Sequence, residues 1–128
     1  MYISEFDKAE IRQTIEKQLQ AFQQDDFIVA FSFASPSIQQ QFGNYDNFQK
    51  MVTVHYEAVH RPRSVMFRGW TMVENFPAQN IVLMDAAGSL VQATYVMQQQ
   101  QDHSWRIHGC FLTPINKIEI GRASCRER

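Results

Sequence analysis

Apolar residues recur at helical spacing over the first third of the chain. Ile11, Ile15, Leu19 and Phe22 share one stripe, with Arg12, Glu16, Lys17 and Gln20 between them, the pattern of an amphipathic helix. Asp7 is the expected N-cap, with Glu10 completing a capping box. Asp25-Asp26 interrupts the stripe and offers a cap to a second apolar segment, 27–34. Ser35-Pro36 stops that segment and starts a short helix ending at Gly43. A further helix from Tyr45-Asp46-Asn47 carries Phe48, Met51, Val52, His55, Tyr56 and Val59 on one face, and Arg61-Pro62 ends it.

The period then changes from helical to alternating. Segments 64–74, 79–84, 90–99 and 104–112 are rich in Val, Ile, Phe, Tyr and Trp and read as strands. Asp85-Ala86-Ala87-Gly88 and Gln101-Asp102-His103 read as hairpin turns, and Gly69 marks a bulge or bend in the first strand. The fold class is therefore α+β: N-terminal helices packed on a curved antiparallel sheet of about four strands.

Composition fits one such domain. The chain has 128 residues, 45% hydrophobic, with 10 Phe, enough for a core without a disulfide framework. A net charge of −1 gives no footprint for nucleic acid or a membrane surface. The apolar stretch 27–34 is too short to cross a bilayer, and Met1 to Glu10 lacks a basic region followed by an apolar run. A cytoplasmic location is the default expectation.

The C-terminal stretch Ile120 to Arg128 is polar, Arg-rich and without period. It resembles the translation of a short-read sequencing adapter; the other reading is a natural frayed terminus. The expected domain is 1–118, with 119–128 an artefactual or disordered tail. Setting aside Arg122, Arg126, Arg128 and Glu127 leaves 9 Lys+Arg against 12 Asp+Glu, a net charge of −3. Cys110 is then the one cysteine of the body, and neither a disulfide nor a two-cysteine metal site is expected.

Several segments together carry a family resemblance. They are Gln18-Leu19-Gln20-Ala21-Phe22 with Asp25-Asp26, Phe31-Ser32-Phe33-Ala34-Ser35-Pro36, and Gln41-Phe42-Gly43. Met51-Val52, Tyr56, Arg61-Pro62-Arg63 and Ser104-Trp105-Arg106-Ile107 leading into Gly109-Cys110 complete the set. With the element order, they make the chain resemble the nuclear-transport-factor-2-like superfamily, a cone-shaped α+β fold. Within it the chain is similar to the bacterial family called domain of unknown function 4864. It departs from the family pattern at Ala58, where proline is usual, at His60, where an aromatic is common, and at His108, where Asn or Asp is expected. The resemblance implies homodimers paired sheet to sheet and no established activity.

The candidate chemistry is sparse. Asp25-Asp26 reads first as a capping pair. Superfamily enzymes use an Asp as general base inside the cone, so Asp26 joins Tyr56 and His108 as an acid–base candidate. Of the four histidines, His55 lies on the apolar stripe and His60 precedes the Arg-Pro corner. His103 falls in a turn, and His108 alternates with Arg106 and Cys110 along the last strand. A pocket of Tyr56, His108, Arg106 and Cys110 would hold a small polar ligand. Arg61-Pro62-Arg63 would clamp a carboxylate or phosphate, or else form a rigid helix-to-strand corner. Cys110 reads as a small buried hydrophobe, and Trp70, Trp105, Phe67 and Phe111 as wall and core.

No HxH, HxxxH or HExxH spacing, phosphate loop or G-x-S-x-G elbow occurs, so neither a metal nor a cofactor is expected. Two functions follow. One is a noncatalytic module that binds a small, partly apolar ligand or dimerises. The other is an isomerase-, dehydratase- or cyclase-like enzyme with an acid–base group inside the cone.

Overall fold

Ser4, not Asp7, opens the first helix. In the computed structural model, which describes residues 3–115, α1 spans Glu5–Gln23 and the Ser4 hydroxyl accepts from the Asp7 amide at 3.0 Å. The hydroxyl caps three residues ahead, as the expected box would have done, but one turn earlier. The predicted stripe of Ile11, Ile15, Leu19 and Phe22 is buried, joined by Gln18 and Ala21.

Asp26 caps α2 (Phe27–Ser32) by accepting from Val29 N–H at 3.2 Å. Asp25 does not cap; it takes a left-handed conformation (φ 57°) that an Asp tolerates better than most residues. The helix ends at Ser32, short of Ala34, because residues 33–35 lie along the last strand. There Ile107 N–H donates to Phe33 O and Ser35 N–H to Ile107 O, each at 2.8 Å. Ser35 caps α3 (Pro36–Phe42), with Pro36 in its first turn and Gly43 (φ 84°) closing it, as expected.

Asn44 caps α4 (Tyr45–His55). The apolar stripe predicted to run through Val59 breaks at Tyr56, whose backbone leaves the helical region before a short α5 (Glu57–His60). Pro62 is buried and Arg63 N–H donates to Met84 O at 2.7 Å, forming the corner into the sheet.

Strands β1 (Ser64–Val73), β2 (Phe76–Met84), β3 (Leu90–Gln99) and β4 (Trp105–Pro114) form an antiparallel sheet in sequence order. β2 starts earlier than the predicted 79, because Glu74 and Asn75 both adopt positive φ and make a two-residue hairpin. Two bulges bend the sheet. One lies between Phe67 and Trp70, at the predicted Gly69; the other lies between Val96 and Met97, opposite β4. Ile81, Leu83, Ala93 and Met97 on one face pack against Ile11, Ile15 and Phe22 of α1. Each fully buried large aliphatic of this set contributes roughly 1.5–3 kcal/mol. This is the α+β class expected from the pattern, consistent with a cone. The expected tail, 119–128, lies outside the described residues.

Candidate functional site: a cavity at the free edge of the last strand

The second bulge re-aims the last strand. β3 and β4 pair from Val91 with Pro114 to Val96 with Gly109, then resume at Met97 with Ile107. His108 is the extra residue. The alternation of His108 with Arg106 and Cys110 expected from spacing therefore fails: parity shifts, so Ile107 and Cys110 face the core. The His108 ring lies 4.9 Å from that of Phe76, and its Nδ1 is 2.8 Å from Ser35 Oγ. Ser35 is fully buried, and its oxygen also receives Ile38 N–H at 3.4 Å. The Ser35 hydroxyl thus joins the α3 cap to the His108 imidazole in one hydrogen-bonded unit.

Two segments occupy the outer edge of β4. Ile115 N–H donates to Leu90 O at 3.0 Å, which makes that pair hydrogen-bonded. By alternation the amides of Cys110 and Leu112 point away from β3. Ile107 is covered by residues 33–35. Farther along, the Tyr56 hydroxyl donates to the Cys110 carbonyl at 2.9 Å. Between these two attachments, β4 stands off α3 and α4 and leaves a cavity of about 620 Å³, within the size range of small-molecule sites.

Its wall is aromatic and aliphatic. Phe48 sits among Phe31, Phe42 and Phe22 at ring distances of 5.1, 5.6 and 6.0 Å, and Phe22, Phe42 and Phe48 line the space with Val52 and Ile107. The polar groups on it are few: Gln18, Tyr56, Tyr95 and Cys110, with His55, Gln41 and His108 also lining it. Gln18 is 3% exposed and donates to Ala30 O at 3.1 Å. Burial pushes the Cys110 thiol up to about 12, partly offset by a hydrogen bond with Tyr95. Burial, reinforced by the neighbouring Cys110, holds Tyr95 well above the ordinary phenol value and raises Tyr56 too.

The expected site residues divide into two groups. Tyr56, His108 and Cys110 meet at the cavity. Arg106 does not: its guanidinium donates to Ser32 O and Ala34 O at 2.9 and 3.4 Å, closing the end of α2. Arg61 binds the Asp25 carboxylate, which His60 Nε2 also contacts at 2.8 Å. Arg63 is exposed at the corner beside the Gly88 turn. Asp26 is an exposed helix cap, outside the cavity, and His103 is exposed in its turn. Among the described residues, no three His, Cys, Asp or Glu side chains gather as a metal site would require.

Spacing alone could have found Gln18 and Tyr95. Gln18 occupies an apolar-face position between Ile15 and Leu19, and a polar residue there signals a specific partner. Tyr95 alternates with Ala93 and Met97 on the core face of β3.

The family model described as Domain of unknown function (DUF4864) matches residues 4–120. The chain belongs to that family. The match takes in every element of the described fold, including all that form the cavity of this DUF4864 domain. No curated protein and no solved structure matches the chain. Among the described residues of this DUF4864 domain, no helix is long and apolar enough to cross a membrane.

Proposed function

We propose that this protein is a noncatalytic binding module of nuclear-transport-factor-2-like architecture that takes a small, partly apolar molecule into the cavity beside β4. The observation that carries the reading is the cavity itself: about 620 Å³, walled by Phe22, Phe42 and Phe48, with a few polar groups converging on it. The segregated helices and doubly bulged sheet support the architecture.

The acid–base alternative has weaker support. Tyr56 is engaged with the Cys110 carbonyl, His108 with Ser35, and Asp26 with its helix. Native mass spectrometry of freshly purified protein tests the binding reading, and an adduct lost on denaturation is the expected result. Absence of any adduct, together with no saturable uptake of a neutral apolar dye, would overturn it.

Homodimerisation draws on a separate observation. Met66 and Phe111, on the sheet face away from Ile81 and Ala93, are 56% and 54% exposed. A dimer in sedimentation experiments that Met66→Glu dissociates is expected. A wild-type monomer at high concentration would sink this part of the reading.

A further inference from the structure

We infer that the cavity selects an uncharged ligand, an apolar body carrying a hydrogen-bond acceptor such as a carbonyl oxygen. The inference rests on the binding reading above and specifies the ligand's chemistry.

Charge is the first discriminator. Among the described residues lining the cavity there is no Asp, Glu, Lys or Arg. None of the arginines expected at a ligand lines the cavity: Arg61 is held by Asp25, Arg106 by the carbonyls that end α2, and Arg63 is exposed at the helix-to-strand corner. A carboxylate or phosphate entering this cavity meets no guanidinium or ammonium to replace its hydration, and an ammonium meets no carboxylate, only aromatic faces that recover part of the cost. A neutral ligand avoids that cost.

The second discriminator is the polarity of the groups on offer. Tyr95 is 1% exposed at the cavity, and its hydroxyl lies against the Cys110 thiol. Sulfur is a weak acceptor, which leaves the Tyr95 O–H available to a better one. Burial keeps both groups protonated at neutral pH. The Cys110 amide, turned to the free edge, adds a backbone donor beside them. Tyr56 is already donating to the Cys110 carbonyl, so the principal strong acceptor of this edge is capped. At this edge the groups that remain are donors, Tyr95 O–H and Cys110 N–H, so the edge favours an acceptor on the ligand.

Competition among matched naphthalenes tests this, using displacement of the neutral dye phenylnaphthylamine from the full chain. The competitors are acetonaphthone, naphthoate, naphthylmethylammonium and ethylnaphthalene. Acetonaphthone should compete at least about tenfold better than either ion, and severalfold better than ethylnaphthalene. Tyr95→Phe should narrow the gap between acetonaphthone and ethylnaphthalene while leaving ethylnaphthalene unchanged. Met51→Trp, which fills the cavity from α4, should abolish dye uptake in a variant shown to be folded by circular dichroism. Naphthoate or naphthylmethylammonium competing as well as the ketone would overturn the neutral-ligand inference but leave cavity binding standing. A ketone preference that survives in Tyr95→Phe would overturn the acceptor assignment. No saturable uptake, or uptake indifferent to Met51→Trp, would overturn the binding reading itself.

Discussion

Ser35 Oγ lies 2.8 Å from His108 Nδ1, joining the residue that caps α3 to the residue that bulges from β4. The bond fastens the helical layer to the sheet edge beside the cavity. Because Ser35 is fully buried, removing its hydroxyl takes a cap from α3 and leaves the imidazole nitrogen without its partner. Ser35→Ala should lower unfolding free energy by about 1–3 kcal/mol in urea titration. His108→Phe keeps the ring contact with Phe76, so a double-mutant cycle isolates the bond at about 0.5–1.5 kcal/mol. Strict additivity would show that the bond contributes nothing.

Gln79 does comparable work at the other bulge. It is 3% exposed, and its amide nitrogen contacts Arg68 O at 2.8 Å and Gly69 O at 3.1 Å, the two carbonyls that the irregularity frees from the ladder. Gln79→Leu keeps the volume but orphans both carbonyls. A loss of about 2–3 kcal/mol is expected in urea titration, against less than about 1 kcal/mol for Gly69→Ala. A Cβ at Gly69 meets open space, and its φ is not positive. A tolerant Gln79→Leu would mean that the bulge does not depend on this side chain.

These two bulges show how far the sequence was legible. Gly69 announced the first, since a glycine inside an alternating strand has few other reasons to be there. Gly109 carries the same signal beside the second, but which residue of β4 becomes the extra one depends on which residues of β3 lie opposite. Strict alternation puts Arg106 on the face of Cys110; with the bulge between them, Arg106 reaches the end of α2. His60 and His108 are both hydrogen-bonded, to Asp25 and Ser35. Those partners lie 35 and 73 residues away in sequence, beyond the reach of periodicity. Helix starts depended on local chemistry and were largely readable, except where Ser4 outcompeted Asp7 by one turn.

The Asp25 carboxylate makes the fold sensitive to acid. The hydrogen bond with His60, followed by the neighbouring Arg61 charge, holds it below the ordinary carboxylate value despite some opposing desolvation. A depressed folded value means that the ionised form stabilises the native state. That contribution is fully present above the unfolded value, near 4, and is lost as pH falls through the folded one. Asp25→Asn suits the test because Asn tolerates the left-handed backbone that residue 25 requires. The stability difference between wild type and Asp25→Asn should shrink as pH falls below about 4, relative to its value at about pH 5. A difference that stays flat into strong acid would remove the carboxylate from the account.

Cys110 should be chemically quiet despite lining a cavity that opens to solvent. With its thiol pushed up to about 12 by burial, almost none is thiolate at mildly alkaline pH. Thiolate is the reactive species, although its greater intrinsic nucleophilicity at high pKa offsets part of the loss. In a Cys125→Ser chain at pH 8, alkylation by iodoacetamide should run on the order of a hundredfold slower than for an unhindered thiol. It should accelerate in denaturant to the ordinary rate. The Tyr95 hydroxyl favours the thiolate, so Tyr95→Phe should slow the native reaction further while leaving the denatured rate unchanged. A native rate close to that of the unfolded chain would show an exposed, activated thiol, and with it a reactive cavity in place of a binding one.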